Sequence, residues 1–290
     1  MPNLDLHCHS TASDGVLTPA EVVTRAAANG VHVLALTDHD DVSGLAEARA
    51  AADAAKIQLV PGVEISATWG GQSVHVLGLR IDPGHPRLLA GLRGIRLGRI
   101  ERARRMGAHL ASAGISGSYE GARALAGSGE LVGRTHFARW LVAEGHAPDV
   151  QSAFRHFLTP GTPGYVEHEW CALEDAVGWI RESGGSAVIA HPGSYTFSPG
   201  KLRQLLETFR ALGGEGLEVV SGSQHPSGYG RFADLARAFG LLASRGSDFH
   251  APGEGVDLGR LPPLPRYARP IWQSWPLVGR SKPAARDDKC

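Results

Sequence analysis

The sequence predicts an α/β protein that folds as a (β/α) barrel with a helical insertion. About seven short strands, most of them rich in β-branched residues or leucine, alternate with helices, a pattern typical of a parallel sheet. From residue 84 to residue 165 this alternation gives way to arginine-rich helices separated by glycines. Polar residues follow nearly every strand on its C-terminal side, where barrel active sites lie, and this position favours a barrel over an open doubly wound sheet.

The first strand is predicted over residues 3–9, where apolar and polar side chains alternate strictly. Successive residues of a strand face opposite sides of the sheet. His7 and His9 therefore project from one face, where both imidazoles can share a metal ion. Cys8 projects from the other face, which favours a core position for it over a place among the metal ligands.

The first helix carries recognisable signals at both ends. Thr18 is the expected N-cap, Pro19 occupies the first helical position and Glu21 completes a capping box. Asn29-Gly30 is expected to end the helix. The elements expected next are a strand over 31–37, a helix over 43–56, a strand over 57–66 that Pro61-Gly62 breaks, and a strand over 73–79.

Strand–helix alternation resumes after residue 165 and gives three more strands. These strands end just before His191, Ser221 and Asp248, so polar side chains again follow the C-terminal ends. The domain boundaries predicted from this organisation are residues 1–83 and 166–279 for the barrel, 84–165 for an insert that forms part of the substrate pocket, and 280–290 for a flexible tail.

Composition and charge exclude several classes of protein. The 290 residues include 29 Lys and Arg and 29 Asp and Glu, so the basic excess of a nonspecific duplex-DNA binder is missing. A hydrophobic fraction of 42% excludes a disordered chain, and three scattered cysteines form neither a disulfide framework nor a zinc ribbon. Apolar runs are too short to span a bilayer, and polar Asp5, His7 and His9 stand where a signal peptide would be apolar. We expect a cytoplasmic protein without a membrane partner.

Nine side chains of metal-binding type stand at or just past predicted strand ends, or in the loop that follows. An isolated His-x-His pair is more often structural, but so many groups on one barrel face cannot all be structural, because unpaired buried carboxylates are costly. Imidazole and carboxylate groups bind Zn²⁺, Mn²⁺ or Fe²⁺. Since one ion takes roughly three or four protein ligands, the set predicts two or three ions that share a bridging carboxylate. The nine residues are His7, His9, Asp14, His39, Glu64, His75, His191, Asp248 and His250.

Five motifs, in this order along the chain, resemble those of the PHP (polymerase and histidinol phosphatase) superfamily over about residues 3–260. The segment Gly133-Arg134-Thr135-His136-Phe137-Ala138 in the insert is similar to the bacterial members that dephosphorylate nucleotides. The resemblance implies a distorted (β/α)7 barrel with up to three metal ions, often Mn²⁺, with Zn²⁺ or Fe²⁺ as alternatives. The motifs are Asp5-Leu6-His7-Cys8-His9-Ser10, Thr37-Asp38-His39, Pro61-Gly62-Val63-Glu64, Ala190-His191-Pro192 and Gly246-Ser247-Asp248-Phe249-His250.

The resemblance also implies how the ligands are divided and what binds the substrate. Arg99, Arg102 and Arg134 are candidate phosphate contacts, although a solvated arginine-rich face would also explain Arg102. Thr162 stands where nucleotidase members often carry a lysine, so we expect one phosphate contact fewer, and His225 is a substrate-contact candidate by position. One ion would bind His7, His9, Glu64 and Asp248, a second would bind Glu64, His75 and His191, and a third would bind Asp14, His39 and His250.

The function implied is hydrolysis of a nucleotide phosphomonoester, such as a 3′,5′-nucleoside bisphosphate or an AMP-like substrate. A metal-activated hydroxide at Glu64 would attack phosphorus, and His250 or a water ligand would protonate the leaving oxygen. Alternatives are a 5′-to-3′ exoribonuclease on short RNA, a histidinol-phosphate phosphatase and a C–N-bond amidohydrolase. The amidohydrolase has no use for Asp14, His39 and His250. A non-enzymatic scaffold is disfavoured because no ligand position is lost. The expected partner is a small phosphorylated nucleotide or a short RNA, without duplex DNA.

Overall fold

The computed structural model describes residues 2–126 and 131–276. The expected tail at 280–290 lies outside the described residues. The strands are β1 (Leu4–Asp5), β2 (Val33–Leu36), β3 (Gln58–Trp69), β4 (Gln72–Leu79), β5 (Cys171–Ala172), β6 (Ser186–Ile189), β7 (Gly216–Ser221) and β8 (Leu242–Gly246). The helices are α1 (Pro19–Ala28), α2 (Leu45–Ala55), α3 (Pro86–Ser112), α4 (Ser118–Leu125), α5 (Arg134–Ala143), α6 (Val150–Ala153), which continues as a π-helical turn (Phe154–Leu158), α7 (Leu173–Glu182), α8 (Pro199–Ala211) and α9 (Tyr229–Ala238), with short 3₁₀ turns at Pro192–Ser194, Pro226–Gly228 and Ile271–Ser274.

The strands form one sheet in the order β1-β2-β3-β4-β6-β7-β8, with the short β5 paired to β3. Backbone hydrogen bonds join the two ends of this sheet. The Leu6 N–H donates to the Arg245 carbonyl at 3.0 Å, and the His9 N–H donates to the Phe249 carbonyl at 2.9 Å. The sheet is therefore nearly closed, and the predicted barrel of strands and helices is confirmed.

Strand β4 runs antiparallel to both of its neighbours, β3 and β6, so the expectation of a parallel sheet is wrong at this strand. The physical reason lies at Gly70 and Gly71, which join β3 to β4 with φ angles of +55° and +74°. Positive φ at both central residues is the geometry of a two-residue hairpin turn. The reversal places His75, the fourth residue of β4 and opposite Ser66, among residues from the C-terminal ends of the parallel strands.

Strand β3 is continuous, so the expected break at Pro61-Gly62 is wrong. Pro61 pairs with Leu36, the last residue of β2, and the pairing of β3 with β4 begins at Gly62. The proline therefore lies where β3 passes from one neighbour to the other, a position at which its missing N–H is tolerated. The length of β3 places Glu64 inside the strand.

Helix α1 begins as predicted. The Thr18 hydroxyl accepts the Glu21 N–H at 3.2 Å, and the Glu21 carboxylate accepts the Thr18 N–H at 2.8 Å. The first strand is shorter than expected, because regular pairing of β1 ends at Asp5, although Cys8 forms a further bridge with Phe249.

The long helix α3 contributes to two hydrophobic clusters. Leu88 and Leu92 in its first half pack with the helices and strands of the barrel. Met106 and Leu110 in its second half pack with Phe137 and other residues of the helical region. The division at residues 84 and 165 stays a prediction.

None of the helices in residues 2–126 and 131–276 is long and apolar enough to cross a bilayer.

Candidate metal centre and substrate cleft

The structure brings all nine predicted metal ligands together. Eight of them form three overlapping groups in which the nitrogen and oxygen atoms all lie within 4.8 Å of one another. The ninth, His191, has Nε2 2.9 Å from Oε1 of Glu64. The groups are His7, His9, Glu64 and Asp248; His39, Glu64 and His75; and His9, Asp14, His39 and His250.

The Glu64 carboxylate lies at the centre of the cluster and is fully buried. Each of its two oxygens faces imidazole nitrogens from different parts of the barrel. The bridging role predicted for Glu64 requires such a central position. The distances from Oε1 are 3.0 Å to Nδ1 of His75 and 2.9 Å to Nε2 of His191, and those from Oε2 are 3.0 Å to Nδ1 of His39, 3.3 Å to Nε2 of His9 and 3.4 Å to Nε2 of His7.

These residues fit divalent metal ions. Two ligand atoms about 2.1 Å from one ion and at right angles to each other would lie about 3.0 Å apart, close to the spacings around Glu64. Nε2 of His7 and Nε2 of His9 face each other at 3.2 Å. Oε2 of Glu64 and Nδ1 of His39 are buried without a well-formed hydrogen bond among the described residues. Because buried polar atoms are seldom left unpaired, this donor set points to ligands for cations.

Asp248 and His191 are held in unusual backbone conformations. Their φ angles are +54° and +27°, which non-glycine residues rarely adopt. Asp248 Oδ1 thereby lies 3.2 Å from Nε2 of His9 and 3.3 Å from Nε2 of His7, and its Oδ2 accepts a short hydrogen bond from the Ser223 hydroxyl. Backbone strain of this kind occurs at functional sites, where it fixes side-chain direction.

The histidines of the cluster differ in proton affinity. Burial and the neighbouring His250 lower the pKa of His9 to about 3, and burial lowers the pKa of His75 to about 4. Burial also opposes the charged form of His250, but the facing carboxylates of Asp14 and Asp248 outweigh it and raise its pKa to about 10. His9 and His75 thus present neutral imidazoles, the form that binds metal, whereas a metal ion would displace a proton from His250.

Sequence reasoning missed a buried carboxylate behind the cluster. Glu218 lies within β7, where its Oε1 is 3.1 Å from Nδ1 of His7 and its Oε2 accepts the His191 N–H at 2.6 Å. A hydrogen bond to the far nitrogen of a ligating imidazole fixes its tautomer and ring orientation. The available signal was a single charged residue inside an otherwise apolar strand.

A second carboxylate, Asp38, shapes the loop that carries Asp14. It accepts hydrogen bonds from the Ser10 N–H at 2.7 Å and from the Ser13 hydroxyl at 2.6 Å. Asp14 is also tied to α5, because the Thr135 hydroxyl donates to its Oδ2 at 2.8 Å. The helical region thus contacts one of the three ligand groups directly.

The sequence model of the PHP domain family matches residues 5–155, just over half of the 290-residue chain. The chain belongs to the PHP domain family. The resemblance predicted from the five motifs is thereby confirmed.

Two relatives and a solved structure match this PHP chain over nearly its whole length. A 3′,5′-nucleoside bisphosphate phosphatase from Chromobacterium violaceum is 54% identical over 274 residues, covering 94% of this chain and 96% of that protein. A 5′-3′ exoribonuclease from Haemophilus influenzae is 43% identical over 271 residues, covering 93% and 98%. The structure of an amidohydrolase from C. violaceum with bound sulfate and no metal is 54% identical, covers 93% of this chain and 94% of that chain, and has a TM-score of 0.91.

A cleft of about 550 Å³ opens beside the metal-ligand cluster of this PHP chain. His39, His75 and His191 lie along its wall. The three predicted phosphate contacts, Arg99, Arg102 and Arg134, line the same cleft, together with Trp170, Tyr195 and Phe197. Glu167 and Glu169, both exposed, also line it. The cleft therefore places guanidinium groups and the candidate metal ligands around one space.

The three arginines are not equally available to a ligand. Arg99 donates from Nε to Asp40 and from Nη2 to Ser66, both at 2.7 Å. Arg102 makes a long contact of 3.4 Å from Nε to the Val166 carbonyl. Arg134 has no hydrogen bond or ion pair with any residue in the described part of the chain, and its guanidinium lies 5.8 Å from the Phe154 ring. Among the described residues, Arg134 is therefore the one of these three arginines with the fewest partners for its donors.

The two remaining predictions, about Thr162 and His225, concern residues outside the lining of this cleft. Thr162 caps its own turn, donating to the Thr159 carbonyl at 2.8 Å and accepting the Thr159 N–H at 3.1 Å. His225 is exposed and lines a separate depression with Gln224 and Arg231. The structure therefore does not bring His225 together with the metal-ligand cluster.

Proposed function

We propose that this protein is a metal-dependent phosphoric monoester hydrolase that removes the 3′-phosphate from a nucleoside 3′,5′-bisphosphate. The observation that carries this proposal is the cleft in which Arg99, Arg102 and Arg134 face a cluster of nine metal-ligand side chains. A substrate with two phosphate groups needs cationic groups at two places. The 54% identical phosphatase from C. violaceum supports the choice of substrate.

Two or three divalent ions would be held by the three ligand groups, with Glu64 shared between two of them. A mixed set of imidazoles and carboxylates suits Mn²⁺, Zn²⁺ or Fe²⁺. We propose that Mn²⁺ is the ion bound, with Zn²⁺ and Fe²⁺ as the alternatives. Ions bound in such a site ionise a water molecule and neutralise phosphoryl oxygens. Both oxygens of Glu64 face imidazoles at 2.9–3.4 Å, so we assign Glu64 the role of a bridging ligand.

In this proposal His250 is a metal ligand, and it is not the general acid that the sequence led us to expect. Its Nδ1 lies 2.9 Å from the backbone carbonyl of Asp248, to which it donates. Its Nε2 faces Asp14 Oδ1 at 3.3 Å, inside a ligand group. A nitrogen that binds a cation cannot at the same time donate a proton, so the proton for the leaving oxygen comes from water.

Arg134 and Arg102 bind the second phosphate of the substrate. Burial, with Arg99 nearby, lowers the pKa of Arg134, and burial together with the neighbouring Arg134 and Arg99 lowers the pKa of Arg102 to about 9. Cations held close together away from water gain more from a bound anion than exposed cations do. Trp170, whose ring lies 4.8 Å from the Arg99 guanidinium and 5.3 Å from that of Arg102, holds the two side chains along the cleft wall.

A C–N-bond hydrolase is the chemical rival, because one solved structure similar to this chain is that of an amidohydrolase. Two ligand groups would satisfy a two-metal amide hydrolase. The third group, with Asp14, His39 and His250, and the arginine-lined cleft suit a phosphate ester better.

A second candidate function is 5′-3′ exoribonuclease activity on short RNA, which the 43% identical relative supports. We also propose a cytoplasmic location, because nucleotides are the substrates.

A substrate panel tests the proposal. The Mn²⁺-loaded protein is offered a nucleoside 3′,5′-bisphosphate, 5′-AMP, histidinol phosphate and an N-acyl amide, and product formation is followed by chromatography. We expect kcat/KM to be highest for the bisphosphate, with release of inorganic phosphate and the 5′-nucleotide. Preferential hydrolysis of the amide, or of histidinol phosphate, would show that the assignment is wrong.

A further inference from the structure

Helix α5 contacts Asp14, a member of the third ligand group, at two points. Near the start of the helix, the Thr135 hydroxyl donates to Oδ2 of Asp14 at 2.8 Å. One turn later, Nη1 of Arg139 donates to the Asp14 backbone carbonyl at 2.6 Å. Residues four apart in a helix project from the same face, so both contacts come from one side of α5. This helix therefore holds both the carboxylate and the backbone of Asp14.

The hydrogen bond from Thr135 determines which oxygen of Asp14 faces the other ligands. Because the hydroxyl binds Oδ2, the second oxygen, Oδ1, is directed into the group, 3.3 Å from Nε2 of His250 and 3.8 Å from Nδ1 of His9. Asp14 supplies the carboxylate of this group, whose other members are His9, His39 and His250. The direction of the anionic ligand atom thus depends on a side chain of α5.

Arg139 also reaches the loop that follows His250. Its Nη2 lies 3.2 Å from the Glu254 carboxylate, and the Glu254 N–H donates to the Ala251 carbonyl at 3.2 Å. Arg139 therefore joins the two segments that carry Asp14 and His250. In the described part of the chain, no hydrogen bond or ion pair joins α5 to the other eight predicted ligands. The direct contacts of α5 with the cluster are thus confined to the third group.

We infer that Thr135 and Arg139 are positioning residues that set the affinity of the third ligand group for its ion. This inference rests on the proposed function, because it concerns one of the ions proposed there. Hydrogen bonds that orient a metal ligand change metal affinity by about 10- to 100-fold when they are removed. Arg134, directly before Thr135, lines the substrate cleft. One helix turn therefore carries both the candidate phosphate contact and the residue that orients the third group's carboxylate.

Metal binding to the full chain, measured by equilibrium dialysis, tests the inference. Metal-free protein is equilibrated with increasing free Mn²⁺, and the bound ions per chain are counted by elemental analysis. Asp14→Asn serves as the reference, because the binding step that it weakens belongs to the third group. We expect Thr135→Val, which keeps the side-chain shape but removes the hydroxyl, to weaken that step by about 10- to 100-fold. Arg139→Gln should weaken the same step.

The remaining binding steps should stay within about threefold of their wild-type affinities in both variants. Thr135→Ser retains a hydroxyl and should bind all ions as the wild type does. Thr24→Val is the matched control, since it removes a hydroxyl that donates within its own helix at an exposed position of α1. It should leave every binding step unchanged.

Each other outcome has a definite meaning. An unchanged third step in either correctly folded variant, equal weakening of all steps, or equal weakening by Thr135→Ser and Thr135→Val overturns the inference. A wild-type protein that binds only two ions also overturns it and leaves the proposed function standing. Wild-type protein that binds none overturns both. Circular dichroism identifies a variant that fails to fold, and if one does, the other variant decides the outcome.

Discussion

Oε1 of Glu218 lies 3.1 Å from Nδ1 of His7, and both side chains are fully buried. The second oxygen of Glu218 accepts the N–H of His191 at 2.6 Å. One carboxylate therefore fixes the ring of one predicted ligand and the backbone of another. With Nδ1 of His7 donating to Glu218, its Nε2 lone pair is directed at Glu64 and Asp248, which is the orientation that a metal ion requires.

Replacing Glu218 by glutamine should weaken metal binding. An amide offers one acceptor oxygen where two are needed, so either His7 or His191 loses its partner. Loss of such a partner lowers metal affinity by about 10- to 100-fold. The measurement is a Mn²⁺ or Co²⁺ titration of the metal-free protein, with Glu207→Gln on the exposed side of α8 as the matched control. An affinity equal to that of the control would show that Glu218 serves the fold alone.

Removal of metal should abolish phosphatase activity and lower stability. Without cations, Glu64 is surrounded by five imidazoles and three histidine rings crowd around His39. A ligand that binds only the folded state stabilises it by a free energy that grows with the logarithm of the ratio of ligand concentration to dissociation constant, so the melting temperature rises with metal. Exhaustive chelation followed by elemental analysis, calorimetry and an activity assay tests both effects. Full turnover by protein verified as metal-free would contradict the assignment of the cluster.

Much of the candidate site was predictable because six of the nine ligands belong to short motifs that follow a strand, namely His7, His9, His39, His191, Asp248 and His250. His7, His9, His39 and Asp248 come together as expected, since the strands that precede them are neighbours in the barrel. Helix α1 was predictable for a local reason, because its capping box lies within four consecutive residues. Local signals of this kind do not depend on the rest of the fold.

The reversal of β4 has a local signal, whereas the partners of Glu218 and Arg99 depend on tertiary contacts that the sequence does not reveal. The reversal of β4 follows from a two-residue turn whose glycines were visible, but strand–helix alternation elsewhere suggested a parallel sheet. Glu218 carries no spacing signal, since its partners His7 and His191 are 211 and 27 residues away. The availability of each arginine was likewise hidden, because Arg99 meets Asp40 across 59 residues of sequence.

Replacing Arg99 should destabilise the fold rather than act on substrate binding alone. Its guanidinium pairs with the fully buried Asp40, and Arg99 itself is 7% exposed. Arg99→Ala would leave that carboxylate buried without its partner, at a cost of about 3–5 kcal/mol. Urea denaturation measures the loss, and the double variant Arg99→Ala with Asp40→Asn should recover part of it. A single variant as stable as the wild type would show that Asp40 is compensated by other groups.

Arg134 should govern the preference for bisphosphates over simple monoesters. Its guanidinium lines the cleft without a hydrogen-bond or ion-pair partner among the described residues, so its donors are free for a phosphate. A charge-assisted contact contributes about 1.5–3 kcal/mol, so Arg134→Ala should lower kcat/KM for a 3′,5′-bisphosphate by about 10- to 100-fold. p-Nitrophenyl phosphate, which has no second phosphate, should lose much less. Arg104→Ala, an exposed change on α3, is the control. Losses of equal size on both substrates would place Arg134 at the scissile phosphate or in the fold, and the proposed contact with the second phosphate would then be wrong.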